Sequence, residues 1–124
     1  MKKLFLIIAI FFIAISAQAQ LYIFSHSRVS SMKNGKVLQS VERVCADTLF
    51  VDGSNAQMVM DGEFVSDIIT STKLLKGYTR YTTSSKVTID IPNVSQPDSI
   101  TITLAADKNK FSYQIIYYIE SIIR

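Results

Sequence analysis

Apolar and polar residues alternate over Lys86-Val87-Thr88-Ile89-Asp90-Ile91, and again over Ser99-Ile100-Thr101-Ile102-Thr103-Leu104. A period of two puts alternate side chains on opposite faces of an extended chain, so both segments predict half-buried strands. Pro92 to Asp98 between them reads as a loop, which makes the two strands an antiparallel pair. Asp107-Lys108-Asn109-Lys110 predicts a tight turn into a further strand beginning Phe111-Ser112-Tyr113-Gln114-Ile115.

Earlier in the chain the strongest turn signal is Lys33-Asn34-Gly35-Lys36, because Asn-Gly readily takes the two positive φ values of a type I′ hairpin. Leu21 to Met32 and Val37 to Val44 are its arms. A two-residue loop there sets residues whose numbers sum to 69 opposite one another, His26 with Arg43 and Phe24 with Cys45. Asp52-Gly53-Ser54-Asn55 separates Thr48-Leu49-Phe50-Val51 from Ala56-Gln57-Met58-Val59-Met60 and predicts a second hairpin, and Asp61-Gly62 predicts another turn. Two stretches fit two periods. In Ser66 to Gly77, Ile68, Ile69, Thr72 and Leu75 share a helical face, while the Thr and Ile content favours a strand. At the C-terminus, Ile115, Ile116, Ile119, Ile122 and Ile123 match a helix, and Phe111, Tyr113, Ile115, Tyr117 and Ile119 match a strand.

Strand-like segments thus recur about every ten residues with turns between them, the spacing of an all-β domain. The expected fold is an antiparallel meander of about seven to nine strands. It forms either a small barrel of lipocalin type or a sandwich, with at most one short helix.

The first 19 residues stand apart from this pattern. Lys2-Lys3, an apolar run from Leu4 to Ile15 and the small residues Ala17-Gln18-Ala19 read as a secretory signal peptide cleaved after Ala19. The run is too short for a spanning helix, which needs about 20 residues. One β-rich domain, Gln20 to Arg124, is then expected in the periplasm or the medium. Without Lys2 and Lys3 the charge falls from +3 to +1, with 11 basic against 10 acidic residues. Scattered Lys at that balance gives no footprint for nucleic acid. The strands are mostly short and rich in Ser and Thr, so the exported domain is expected not to be integral to a membrane.

Candidate chemistry is sparse. Cys45 is the only cysteine, so no internal disulfide forms, and His26 is the only histidine, which excludes sites built on two imidazoles. In the register of the Asn34-Gly35 hairpin His26 and Cys45 lie diagonally on one face. Arg43 beside His26 disfavours an imidazolium, and the apolar neighbours of Cys45 keep it a thiol. Asp47, Asp52, Asp61, Glu63 and Asp67 cluster in sequence, but Asp52 and Asp61 precede Gly and serve turns. No phosphate loop, nucleophile elbow, metal motif or cofactor motif is present. The residues most suited to binding are aromatic: Tyr78, Arg80 and Tyr81 in one segment, Tyr113 and Tyr117 near the C-terminus. Tyr offers a rigid face and a hydroxyl, which suits a groove for a peptide or a sugar.

With the Ala17-Gln18-Ala19-Gln20 junction and its small size, the chain resembles the small exported proteins of unknown function found in Gram-negative bacteria. That resemblance implies export and transfers no site. The expectation is a non-enzymatic binding or interaction domain whose partner is a protein, peptide or glycan of the cell envelope. The alternative is an inhibitor or accessory subunit of an exported hydrolase, presenting the Pro92 to Asp98 loop.

Overall fold

A computed structural model of the chain describes residues 20–104 and 111–123. The segment expected to be a signal peptide and the turn expected at Asp107 to Lys110 lie outside the described residues. Nine strands follow one another with no helix between them among these residues: β1 (Gln20–Lys33), β2 (Lys36–Val44), β3 (Thr48–Val51), β4 (Asn55–Met60), β5 (Glu63–Leu75), β6 (Tyr78–Thr83), β7 (Val87–Pro92), β8 (Ser99–Leu104) and β9 (Phe111–Ile123). Both stretches that fitted two periods are strands. Ser66 to Gly77 lies mostly in β5, whose first half pairs with β4 and second half with β6; Ile115 to Ile123 pairs with β1. Cross-strand partners supplied the energy that the mixed local pattern left undecided.

Every pairing is antiparallel, and β9 returns to β1, so strands β1, β3, β4, β5, β6, β7, β8 and β9 close into an eight-stranded barrel. Closure rather than a sandwich follows from the length of β1. One edge of β1 pairs with β9 from Leu21 to Lys33, while the other edge is shared: Gln20 to Ile23 hold β3, and His26 to Lys33 hold β2. The ninth strand, β2, therefore stands outside the ring as an extra arm. Cys45-Ala46-Asp47 is the step between the two partners, and the ladder continues across it through Cys45 N–H to Ser25 O at 3.1 Å and Phe24 N–H to Asp47 O at 3.1 Å.

The turns fall where positive φ is available. Asn34 at φ 52° and Gly35 at φ 80° join β1 to β2, and Asp61 at 51° and Gly62 at 81° join β4 to β5. Lys33↔Lys36 and Met32↔Val37 keep the expected register. Between Ser31 and Met32 a bulge then shifts it by one residue, so Ser31 faces Gln39 and His26 faces Val44 rather than Arg43. A one-residue shift exchanges the two faces of a strand. His26 lies exposed on the outer face, stacked on Tyr118 with ring centroids 4.4 Å apart, while Cys45 packs against the core. The diagonal pair expected from the unbulged register is not formed.

Alternate residues fill the barrel. Tyr22 and Phe24 of β1, Leu49 and Val51 of β3, Ile89 and Ile91 of β7, and Ile100 and Ile102 of β8 are buried. Phe24 stacks on Tyr117 with centroids 4.5 Å apart, and both rings are about 1% exposed. This stack plugs the middle of the barrel and leaves a pocket toward each end.

Candidate functional site

One pocket is apolar. It has a volume of about 230 Å³ and runs from Leu49 and Tyr117 past Ala56, Met58, Ile89 and Ile102 to a mouth at Val65 and Leu104. Those two rim residues are 49% and 37% exposed. The wall continues beyond the ring, because Leu104 faces Tyr113, Ile115 faces Val29, and Val29 faces Val41 on the extra arm. A shallower hollow of about 180 Å³ lies there, between Val41, Gln39 and Tyr113.

Three polar side chains reach the apolar pocket, and each is already satisfied by the protein. The Tyr117 hydroxyl donates to Asp47 Oδ2 at 3.0 Å. Thr83 Oγ1 accepts from Val87 N–H at 3.2 Å. Asp67 accepts from the Ser84 hydroxyl and from Ser85 N–H at 3.3 Å, fastening the turn between β6 and β7. With these groups engaged, what remains for a guest is apolar contact, and an apolar cavity of this kind stays dry when empty.

Those Asp67 hydrogen bonds, from Ser84 first and then Thr83 and Ser85, hold its carboxyl well below the usual carboxylate range. The folded state therefore binds the proton more weakly than the unfolded chain does. The resulting stability is present above the unfolded value near 4 and is lost as the pH falls toward the folded one. Asp67→Asn is expected to melt earlier than the parent at pH 7, with the gap narrowing below about pH 4 in a series of thermal melts.

At the other end a pocket of about 260 Å³ has a polar lining that includes Gln20, Tyr22, Thr79, Tyr81 and Asn93. Here too hydroxyls are partnered: Tyr22 donates to Gln20 Oε1 at 2.6 Å and Thr79 to Asn93 Oδ1 at 2.6 Å. Burial raises the pKa of the Tyr81 phenol. The loop Pro92 to Asp98 closes over this end, tied down by Asn93 N–H to Gly77 O and by Ile119 N–H to Asp98 O, with Val94 left exposed.

The five residues proposed from sequence do not share one groove. Tyr78 and Arg80 lie on the outer face, where the Arg80 guanidinium bonds both carboxylate oxygens of Asp90, at 2.8 and 3.1 Å, and sits 5.7 Å from the Tyr78 ring centroid. Tyr81 points to the polar end, Tyr113 to the hollow beside the apolar mouth, and Tyr117 into the core. Tyr113 and Tyr117 thus flank the apolar side, and the other three do not reach it.

A polar cluster centred on the buried Asp47 supports the apolar mouth. Besides the Tyr117 hydroxyl, its carboxylate accepts Asp61 N–H at 3.1 Å and Arg43 Nη2 at 3.3 Å, and Arg43 also pairs with the Asp61 carboxylate at 3.1 Å. Burial pushes the Tyr117 phenol far above its ordinary value, and the adjacent Asp47 charge and hydrogen bond push it further. Asp52, by contrast, serves its own turn by accepting Ser54 N–H and Asn55 N–H. Asp47 differs from Asp52 and Asp61 in preceding no Gly, but local sequence shows nothing of what it bonds to. Its role depends on Tyr117, 70 residues away.

Comparison with protein-family models, with curated proteins and with solved structures gave no match for the chain. The fold and these contacts are therefore what bear on function.

Proposed function

We propose that the chain is an exported, non-enzymatic binding protein whose barrel mouth takes a small apolar group. The observation that carries this reading is the apolar pocket between Leu49 and the rim at Val65 and Leu104, open at one end and lined by polar groups that are all engaged. Its volume of about 230 Å³ is below the roughly 300–1,000 Å³ of sites for drug-sized ligands. The fitting guest is one small ring, or the end of an acyl chain or an apolar side chain. Recognition rests on shape and exclusion of water, since the polar side chains that line the pocket are held by hydrogen bonds within the protein. The apolar interior and the outer-face ion pair Arg80–Asp90 reverse the arrangement of an outer-membrane barrel, which supports a protein free of the membrane.

The test uses the exported protein, whose N-terminal residue on this reading is Gln20. Titration with an uncharged fluorescent naphthylamine is expected to give a saturable rise in emission. Ala56→Leu puts extra carbon atoms into the pocket and is expected to weaken the probe by about tenfold or more, with little change in melting temperature. Emission that never saturates, or that Ala56→Leu leaves unchanged, removes the proposal. A second reading, an inhibitor or accessory subunit of an exported hydrolase, is favoured by the anchored loop with Val94 exposed at its tip. Val94→Asp separates the two, since Val94 lies at the opposite end from the apolar pocket.

A further inference from the structure

The arm β2 ends the sheet order: β1 lies along one side, and no described strand lies along the other. Its backbone shows which groups that free edge offers. Cys45 N–H points to β1, so by antiparallel alternation Arg43, Val41 and Gln39 also bond to β1, while Val44, Glu42 and Ser40 turn their N–H and C=O outward. Ser40 and Glu42 face Ser30 and Arg28 across the ladder and hydrogen-bond to them through their side chains at 2.8 and 2.6 Å. The same strand exposes Val37, Leu38, Val41 and Val44, the last at 90%. A nine-residue strand with a free edge and four exposed apolar side chains is a template for another strand.

We propose that this edge pairs with β2 of a second copy, antiparallel across a two-fold axis at Val41, so that two barrels share one continuous sheet. The strand is self-complementary about that residue. Val41 meets its own counterpart, Leu38 meets Val44 of the partner subunit, Gln39 meets the partner's Arg43, and Ser40 and Glu42 exchange their outward backbone bonds. Other axes fit less well. One at Glu42 or Arg43 opposes like charges, one at Ser40 sets Leu38 against Glu42 and Val37 against Arg43, and one at Gln39 leaves Val44 facing the Asn34 turn.

Charge at the two ends of the arm favours the same partner. The hairpin tip carries Lys33 and Lys36, both exposed, while the other end lies beside the acidic turn of Asp61 and Glu63, held there by the Arg43–Asp61 ion pair. A two-fold axis at Val41 exchanges these ends, so each basic tip comes to lie near the partner's acidic turn. A symmetric contact of this kind closes on itself at two copies.

Sedimentation equilibrium of the exported protein across a concentration series tests the proposal. A mass rising to twice the monomer is expected, with Val44→Lys weakening association by about tenfold or more while melting as the parent does. Register is read separately in a Cys45→Ser background. Val41→Cys sits on the axis at a pair whose Cβ atoms come within disulfide reach, and it is expected to cross-link on oxidation, whereas Gln39→Cys is not. A protein that stays monomeric at every concentration overturns the proposal. So does a dimer that Val44→Lys leaves intact, one that cross-links through Gln39→Cys instead, or a monomer that pairs only with strands of other proteins.

Discussion

Asp47→Ala is expected to lower the melting temperature by roughly 12–20 °C. The carboxylate is 3% exposed and accepts hydrogen bonds from three donors: the Tyr117 hydroxyl, Arg43 Nη2 and Asp61 N–H. Removing it strands the Tyr117 hydroxyl and Asp61 N–H and leaves a half-buried guanidinium with the Asp61 carboxylate alone. Leaving a buried donor without its partner costs about 1–3 kcal/mol, so two stranded donors together with the lost charge beside Arg43 cost roughly 3–5 kcal/mol, and a domain of this size loses roughly 4 °C per kcal/mol. The cluster ties β9 to the end of β2 and to the β4–β5 turn, so the apolar mouth loosens with it, and probe binding should fall in the same variant. Asp47→Asn keeps an acceptor for Tyr117 and loses the charge opposite Arg43, which places its melting temperature between parent and alanine variant.

The same contact gives an alkaline signature. Because the folded state holds the Tyr117 proton more tightly than the unfolded chain, its contribution is complete below the unfolded value near 10 and is lost as the pH rises toward the folded one. Urea midpoints should therefore fall above about pH 10 in the parent and fall less steeply in Tyr117→Phe. Equal slopes in the two proteins contradict the assignment.

Phe24→Ala is expected to be of similar size. Phe24 is 1% exposed, and its ring stacks on Tyr117 at 4.5 Å in the plug between the two pockets. Large-to-small changes of this kind cost about 3–5 kcal/mol, more where the surroundings cannot collapse. Eight hydrogen-bonded strands hold the barrel wall in place, so the upper part of that range is expected, again readable as a loss of roughly 12–20 °C. The ring removed lies against Tyr117, which lines the apolar pocket, so the variant is expected to deepen that pocket inward. If the protein still folds at 10 °C, it is expected to take a longer apolar probe than the parent accepts, a gain that a merely weakened protein does not show.

Much of the strand map was legible from local pattern. Alternation located β7 and β8, and the Asn34-Gly35 and Asp61-Gly62 turns marked two hairpins, because a period of two and a positive φ are properties of a few adjacent residues. The bulge at Ser31 and Met32 had no such signature. It is one extra residue on β2, and together with a register shift against β9 between Phe24 and His26 it leaves His26 facing outward while Cys45 packs inward. The choice of Tyr78, Arg80 and Tyr81 as neighbours of Tyr113 and Tyr117 rested on residue type. Residue type does not say which side of a closed wall a tyrosine meets.

Local pattern was enough for the all-β class and for most of the strands, since those follow from contacts within about ten residues, but it left β5 and the C-terminal strand open between two periods. Closure as a barrel rather than a sandwich is an outcome of the assembled fold. Closure rests on β1 meeting β9 some 90 positions later and on β1 dividing its other edge between β2 and β3. It decided the apolar pocket for the same reason, because Leu49, Ala56, Ile102 and Tyr117 line one space only once the ring is shut. It also freed the edge of β2, a strand that local pattern places in the sheet but that the closed ring leaves outside.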